Sequence, residues 1–226
     1  MTDTVDIAQR LAESGTFQNL SSPLQTALFL GALALLPAAL VSLTSFTRIA
    51  IVLSFVRRAV TSQEIPPNSV ITGLALCLTL FVMGPVWEDI SNQALTPYLD
   101  KKITGVEALR IGSVPLQKFM LRQTRRQDLA LFIHMAGLKD LKEPRDTPMR
   151  VLIPAFVISE LKTAFTMGFL IYMPFLLVDL VISSILTAMG MVMMPPVIIS
   201  APFKILLFVL ADGWHLVTRA LSLSFG

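Results

Sequence analysis

The sequence predicts an all-α membrane protein with four kinked hydrophobic helical segments that form helical hairpins, plus a small helical extramembrane domain. Of its 226 residues, 54% are hydrophobic and 15% are charged, and the mean hydropathy is +0.71. An ordinary soluble domain carries roughly 25% charged residues, so this charge content excludes that class. Most of the charges lie in one long segment between the second and third apolar runs. That segment is therefore predicted to lie outside the membrane.

Four parts follow from this distribution of charge. We expect a polar N-terminal tail (1–23), two hydrophobic segments with a basic connection (24–87), a polar and mainly helical periplasmic domain (88–150) and a C-terminal hydrophobic hairpin (151–226). The tail carries more acidic than basic residues and no short apolar core. We therefore expect no cleaved signal peptide there, and the first apolar run is the candidate signal anchor.

The four apolar runs are 24–44, 70–87, 163–188 and 197–217. The first is uncharged and, at about 1.5 Å per residue, long enough to cross ~30 Å of hydrocarbon. Each run contains a proline, which removes a helical hydrogen bond and kinks a helix. In a membrane protein such kinks are tolerated where neighbouring groups satisfy the freed carbonyl. The four prolines are Pro37, Pro85, Pro174 and Pro202.

Apolar residues at helical spacing also occur outside the four runs. One set follows the first run, in a piece that is either a polar-ended loop helix or an extension of the first segment. Two further sets lie in the polar domain, and we expect each to pack on one helix face. The sets are Ile49, Val52, Leu53 and Val56; Leu116, Phe119 and Met120; and Leu129, Phe132, Ile133 and Ala136.

The orientation follows from the short connections. The connection 45–69 carries Arg48, Arg57 and Arg58, against the single Arg10 of the tail, which favours the connection on the cytoplasmic side. If all four runs span the membrane, both termini lie outside the cytoplasm and the tip of the C-terminal hairpin faces inward.

The tip of that hairpin is rich in methionine. Gly190 is typical of a residue that ends a helix in the left-handed conformation, and Pro195 and Pro196 prevent the helix from continuing and start a new one. Turns are usually polar, so an apolar turn indicates burial against protein or in a cavity. Methionine side chains in a ring of copies would close a pore with a deformable apolar constriction; alternatively they only fill a helix contact. The residues are Met189, Met191, Met193 and Met194, with Val192 among them.

Isolated charges occur in the C-terminal hairpin. Asp179 and Lys204 flank the tip at similar sequence distances, so both fall roughly 18 Å from it and are expected to be able to pair. Such a pair either fixes the hairpin or its contacts with other chains, or belongs to a proton or ion relay. Glu160 and Lys162 stand two residues apart near the start of the third run and therefore on different helix faces. They either mark the polar end of a helix or hold neighbouring subunits.

Enzyme signatures are missing from the sequence. His134 and His215 are isolated, and no nucleophile motif, phosphate loop or metal-ligand spacing occurs. Cys77 is the only cysteine, so no intramolecular disulfide forms. We expect neither catalysis nor a cofactor. The basic residues are not clustered as in nucleic-acid-binding proteins, so no nucleic acid partner is expected.

Taken together, the motifs resemble those of the FliP/SctR family, the export-gate proteins of bacterial flagella and type III injectisomes. Long stretches match in order, such as Thr-Ser-Phe-Thr-Arg-Ile at 44–49 and Ser-Glu-Leu-Lys-Thr-Ala-Phe at 159–165. The sequence at 44–48 resembles that of flagellar members more than that of injectisome members. The other stretches are 51–55, 66–68, 73–76, 119–125, 128–132, 174–180, the methionine tip and 202–214.

The resemblance implies a non-enzymatic subunit of a protein-conducting export gate in the bacterial inner membrane, with a periplasmic portion. It implies about five copies that assemble with FliQ-like and FliR-like subunits into a helical, cone-shaped pore, near FlhA-like and FlhB-like components, through which unfolded proteins pass. In that family the apolar segments are largely lifted out of the bilayer plane, which conflicts with four simple crossings. The alternative from another class is an ion- or proton-conducting membrane subunit that uses Asp179 and Lys204.

The family's methionine-rich loop acts as a gasket, which the resemblance carries over to Met191, Met193 and Met194. Together with Val192, these residues are the candidate pore gate. Here the sequence departs from the usual three consecutive methionines, because Val192 occupies the middle position and Met194 is added before the prolines. Valine is stiffer than methionine, so the seal is expected to depend on Met193 and Met194. The charges Arg48, Glu160, Lys162, Asp179 and Lys204 are expected to be structural or to lie between subunits.

Overall fold

A computed structural model describes residues 21–60, 66–138, 144–191 and 193–226. Across these residues the regular structure is helical, without a strand, which confirms the predicted all-α class. A π-helical turn, Ser91–Leu95, joins two of the helices, and a 3₁₀ turn, Pro144–Asp146, precedes the longest one. The helices are α1 Ser22–Leu43, α2 Phe46–Val60, α3 Asn68–Ile90, α4 Thr96–Leu99, α5 Gly105–Gln123, α6 Arg126–Met135, α7 Met149–Ala188, α8 Pro196–Leu210 and α9 Gly213–Leu223.

Among the described residues, two stretches of helix are long and apolar enough to cross a membrane, Asn68–Leu99 and Met149–Ala188. The number rises to four if two helix pairs, each separated by a short break, are counted as single spans. These pairs are Pro37–Leu43 with α2, and α8 with α9. The chain is therefore an all-α membrane protein, as its composition predicts.

The ends of the apolar runs differ from those of the helices. The second run continues beyond its predicted end through the π-helical turn to Leu99, and α7 begins at Met149, well before the third run. The fourth run is not one helix, because α8 and α9 meet at an angle of 63°. That break does not lie at Pro202, which is inside α8, but at Asp212, whose φ of 49° is left-handed.

The chain divides into two compact units. The first comprises the described residues of Met1–Thr44 and Met83–Ser159, and the second comprises those of Ser45–Val82 and Glu160–Gly226. The four-part division made from the sequence stays a prediction.

In the first unit, α5 begins with a capping box. The Thr104 hydroxyl accepts a hydrogen bond from the Glu107 backbone N–H at 3.3 Å, and the Glu107 carboxylate accepts one from the Thr104 N–H at 3.2 Å. These reciprocal bonds satisfy two N–H groups that a helix start leaves unpaired. Further along α5, the rings of Phe119 and Phe156 meet with centroids 6.0 Å apart.

The predicted apolar faces of the polar domain are partly correct. Phe119 and Met120 are buried, which confirms the inward face of α5. Ala136 is exposed, so its predicted burial is wrong. It lies just after α6, where the chain turns through Gly137 at φ 67°. Helical periodicity therefore ends one residue before Ala136.

In the second unit, α2 is a separate helix and not an extension of α1. The four apolar residues chosen from its spacing, Ile49 to Val56, are all 0% exposed, which confirms the predicted buried face. Phe55 of α2 packs edge-on against Phe165 of α7, with ring centroids 5.7 Å apart. This close approach depends on Gly168, because a Cβ there would lie 2.6 Å from atoms of the Phe55 ring.

Candidate functional site: a methionine tip and two ion pairs

The turn between α7 and α8 is built as the sequence predicts. Gly190 has a φ of 75°, its N–H bonds to the Thr187 carbonyl, and the Met191 N–H bonds to the Leu186 carbonyl. This pair of bonds is the Schellman arrangement that ends a helix at a left-handed glycine. Pro195 then caps α8, which begins at Pro196. Two local signals therefore fix a non-helical tip between two apolar helices.

The side chains of this tip are exposed within the single chain. Met191 is 37% exposed, Met193 is 97% exposed and Met194 is 41% exposed; these three are called the tip methionines below. Val192 lies outside the described residues. The burial expected for an apolar turn is therefore not supplied by this chain alone. It stays a prediction about contacts with other molecules.

Asp179 of α7 and Lys204 of α8 form the pair that their spacing suggested. The Lys204 Nζ lies 2.6 Å from Asp179 Oδ2, and the Ser200 hydroxyl donates to Asp179 Oδ1 at 2.5 Å. The lysine side chain is only 6% exposed and the aspartate 25% exposed. Both carboxylate oxygens are thus hydrogen-bonded, and these bonds connect α7 to α8. Sequence reasoning missed Ser200, although it stands one helical turn before Lys204 and so on the same face.

Aromatic residues pack beyond the Asp179–Lys204 pair, at the break between α8 and α9. The Phe208 ring lies 6.3 Å from the Phe175 ring and 5.3 Å from the Trp214 ring, centroid to centroid. The Phe208 ring also occupies the space that a Cβ on Gly213 would take. The bend after Leu210 is therefore packed tightly on its inner side.

A second ion pair joins α2 to α7. Arg48 Nε donates to Glu160 Oε2 at 2.9 Å, and Arg48 Nη2 donates to Glu160 Oε1. This geometry is a two-pronged guanidinium–carboxylate pair, the strongest form of a charge-assisted hydrogen bond. The arginine side chain is 2% exposed and the glutamate 0%. Water does not screen this pair, so each charge depends on the other.

The same guanidinium holds the end of α9. Arg48 Nη1 donates to the Ser224 carbonyl at 2.8 Å and lies 3.0 Å from the Ser224 hydroxyl oxygen. The guanidinium carbon also stands 3.9 Å above the centre of the Phe225 ring, which is a cation–π contact. Arg48 therefore ties three helices of the second unit together, and its contacts with Ser224 and Phe225 were missed by sequence reasoning.

One interpretation of the charges is corrected by their positions. Glu160 does not mark the polar end of a helix, because it lies inside α7 and is fully buried. Lys162, two residues later, is exposed, which agrees with the two lying on different faces. The signal that would have found the partner of Glu160 was an opposite charge, Arg48, which stands one helical turn before Val52 and so on the apolar face of α2. In the part of the chain that the structure describes, no group of three or more His, Cys, Asp or Glu residues is placed to hold a metal ion.

These features define a helical membrane protein with a methionine-tipped hairpin whose internal charges are paired. A family model described as FliP family matches residues 29–221. The chain therefore belongs to the FliP family, as its motifs indicate.

Similarity to individual members extends over nearly the whole chain. The flagellar biosynthetic protein FliP of Bacillus subtilis (strain 168) is 49% identical over 208 residues, which cover 92% of this chain and 94% of that protein. The protein of the same name from Pectobacterium carotovorum is 49% identical over 219 residues, 97% of this chain and 84% of that protein. That of Aquifex aeolicus (strain VF5) is 47% identical over 209 residues, 92% of this chain and 87% of that protein. The flagellar rather than injectisome assignment is thus confirmed, and the chain is a flagellar biosynthesis protein.

Proposed function

We propose that this chain is a core subunit of the flagellar export gate. Five copies, the number that the resemblance implies, form a protein-conducting pore, and the methionine tip closes that pore. Unfolded flagellar proteins pass through it, with energy supplied elsewhere in the apparatus. The chain has no catalytic role in this proposal.

The observation that carries the proposal is the exposure of an apolar tip. The tip methionines lie on non-helical backbone at the end of two apolar helices, and Met193 is 97% exposed. Exposed apolar side chains at such a position favour contact with other molecules. In a ring of copies they would form a narrow apolar constriction that excludes water and ions by dewetting. Membership of the FliP family supports placing that constriction in a flagellar protein.

The rest of the assembly is proposed from the same resemblance. The subunit lies in the bacterial inner membrane within the flagellar basal body, with residues 88–150 on the periplasmic side. FliQ-like and FliR-like subunits complete the pore, and FlhA-like and FlhB-like components lie beside it. Much of the apolar surface of α7 and α8 is exposed in the single chain, including Leu170, Leu180 and Leu210. This surface is proposed to contact neighbouring subunits or lipid.

The alternative function, ion or proton conduction through Asp179 and Lys204, is less well supported. Both oxygens of Asp179 are already occupied, by Lys204 and Ser200, and a relay group needs an acceptor or donor to exchange with. Asp179→Asn separates the two functions. A conducting role predicts lost activity with the complex assembled, whereas a structural role predicts loss of assembled complex.

The proposed seal is tested by ion leak across the inner membrane. Cells carry the gate with Met191, Val192, Met193 and Met194 replaced by Ala, and assembled complex is quantified alongside. The matched control is Met135→Ala, because Met135 is 71% exposed and lies in α6 of the other unit. We expect assembled complexes and a raised leak in the tip variant alone. Assembled complexes with tight membranes would show that the barrier lies elsewhere.

A further inference from the structure

The methionines of this chain differ widely in how accessible their sulfur atoms are. Met83 and Met120 are 0% exposed, whereas Met193 is 97% exposed. Met193 stands in the turn between α7 and α8, so its side chain does not pack along a helix face. The tip methionines together place three accessible thioethers within four residues. A thioether exposed in this way is open to oxidants that a buried one does not meet.

We propose that the tip methionines are a site of reversible oxidation, in which two-electron oxidants such as hypochlorous acid convert them to methionine sulfoxide and make the closed gate permeable to ions. The oxygen atom of hypochlorous acid is transferred to the methionine sulfur, which loses two electrons. The chlorine is reduced to chloride, and the remaining proton is released to water. The reverse step is reduction by methionine sulfoxide reductases, one for each sulfoxide epimer. Two thiols supply the two electrons and are oxidised to a disulfide, and the sulfoxide oxygen leaves as water.

The physical consequence follows from the change in polarity. A thioether is apolar and accepts hydrogen bonds only weakly, whereas a sulfoxide is a polar group that attracts water. An apolar constriction blocks ions because water does not fill it, so sulfoxides in the constriction would let water and then ions enter. This consequence, and the access of oxidant to the tip in the assembled gate, rest on the proposed function, in which the tip methionines face the lumen of the pore; their exposure in the single chain does not depend on it.

The first measurement is site-resolved oxidation. The complex is purified with its partner subunits, treated briefly with hypochlorous acid and quenched, and each methionine is assessed by peptide mass spectrometry for the gain of one oxygen atom. Cys77 is replaced by Ala throughout, because its exposed thiol would also react. We expect the oxidised fraction of Met193 to exceed that of the buried Met83 and Met120 by roughly tenfold or more. Equal oxidation of Met193 and Met120 would overturn the proposal.

The second measurement is ion leak from vesicles that contain the same complex. Each preparation is compared with its own untreated sample, so differences in initial leak do not matter. We expect oxidation to raise the leak of the complex with methionines. Methionine sulfoxide reductases A and B, supplied with dithiothreitol as the thiol reductant, should lower the leak to its initial value. Replacing the tip methionines by Leu keeps apolar side chains without sulfur, so oxidant should then leave the leak unchanged. A Met135→Leu complex should respond like the parent.

The outcomes separate this proposal from the proposed function. If the tip replaced by Ala leaks without oxidant, but oxidised Met193 leaves the parent complex tight, the oxidation proposal is wrong and the seal stands. If neither change causes a leak, the tip is not the seal and both are wrong. If the Leu variant responds to oxidant as strongly as the parent, the sensitive sulfur lies elsewhere, and the tip is not the site.

Discussion

Replacing Arg48 by Ala tests the idea that one buried guanidinium holds the second unit together. The change removes both hydrogen bonds to Glu160, the bonds to Ser224 and the contact with the Phe225 ring. The Glu160 side chain is 0% exposed, so water cannot replace the lost cation without the packing being opened. The Arg48→Ala variant is therefore expected to lose far more stability than a variant in which a surface charge is removed.

The expected magnitude follows from this burial. Removing one partner of a buried ion pair costs about 3–5 kcal/mol, because the other charge is left unpaired in a medium that solvates it poorly. For a chain of this size, 1 kcal/mol shifts the melting temperature by about 2–4 °C. Arg48→Ala is therefore expected to lower the melting temperature by about 6–20 °C.

The assay is the temperature at which half of the detergent-purified protein is lost from its monodisperse peak in size-exclusion chromatography. Arg58→Ala is the matched control, since Arg58 lies on the same helix but is exposed, and a surface substitution usually changes stability by no more than about 0.5 kcal/mol. Equal shifts for Arg48→Ala and Arg58→Ala would refute the reasoning.

A double variant separates the pair from its packing. In Arg48→Met with Glu160→Leu, both charges are replaced by apolar side chains, so no unpaired charge remains. We expect this protein to be more stable than either single variant. If the two single losses simply add, the destabilisation comes from lost packing and not from an unpaired charge.

Three further substitutions test the packing and the turns, each by the same thermal assay. Gly168→Ala should lower the free energy of unfolding by about 1–3 kcal/mol, because the new Cβ would meet the Phe55 ring. The control is Gly84→Ala, because Gly84 has open space around it. A similar loss of stability in both variants would contradict the clash. Asp212→Ala should lower the free energy of unfolding by about 1 kcal/mol, because φ at this position is 49°. Asp212→Gly should not lower it, and equal stability of the two variants would disprove strain at this bend. Thr104→Ala should lose about 1 kcal/mol through the capping box, and an unchanged melting temperature would show that the cap contributes nothing.

Several parts of the structure were predictable because their causes are local. The left-handed Gly190 and the paired prolines after it define the tip regardless of what surrounds it. The face of α2 from Ile49 to Val56 is buried because helical spacing places these residues together. The Asp179–Lys204 pair was predictable because the two helices of a hairpin start from the same tip. Residues at similar sequence distances from the tip therefore lie at about the same height along the hairpin.

Other parts depend on contacts between residues far apart in the chain. Arg48 and Glu160 are 112 positions apart, and nothing in the spacing of either says which helix it will face. The start of α7 was also missed, because Glu160 and Lys162 limit the third apolar run to the residues after Lys162, whereas the helix itself begins at Met149. Its buried Glu160 is tolerated there only because Arg48 supplies the opposite charge. The break at Asp212 was missed because hydropathy does not reveal that the Phe208 ring packs beside Gly213 and against Phe175 of α7.

The sequence by itself determined the membrane class, the helical content, the methionine tip and the family. Hydropathy, the spacing of apolar residues and the residue types in turns are properties of residues close together in the chain. They can therefore be read without knowing the fold. The tertiary structure alone decided that Arg48 pairs with Glu160, where α7 begins and where the last apolar run breaks. The Arg48–Glu160 pair joins helices far apart in the chain, because a buried charge is stable only with a partner. The break is packed by the Phe208 ring, which lies against Trp214 and against Phe175 of α7.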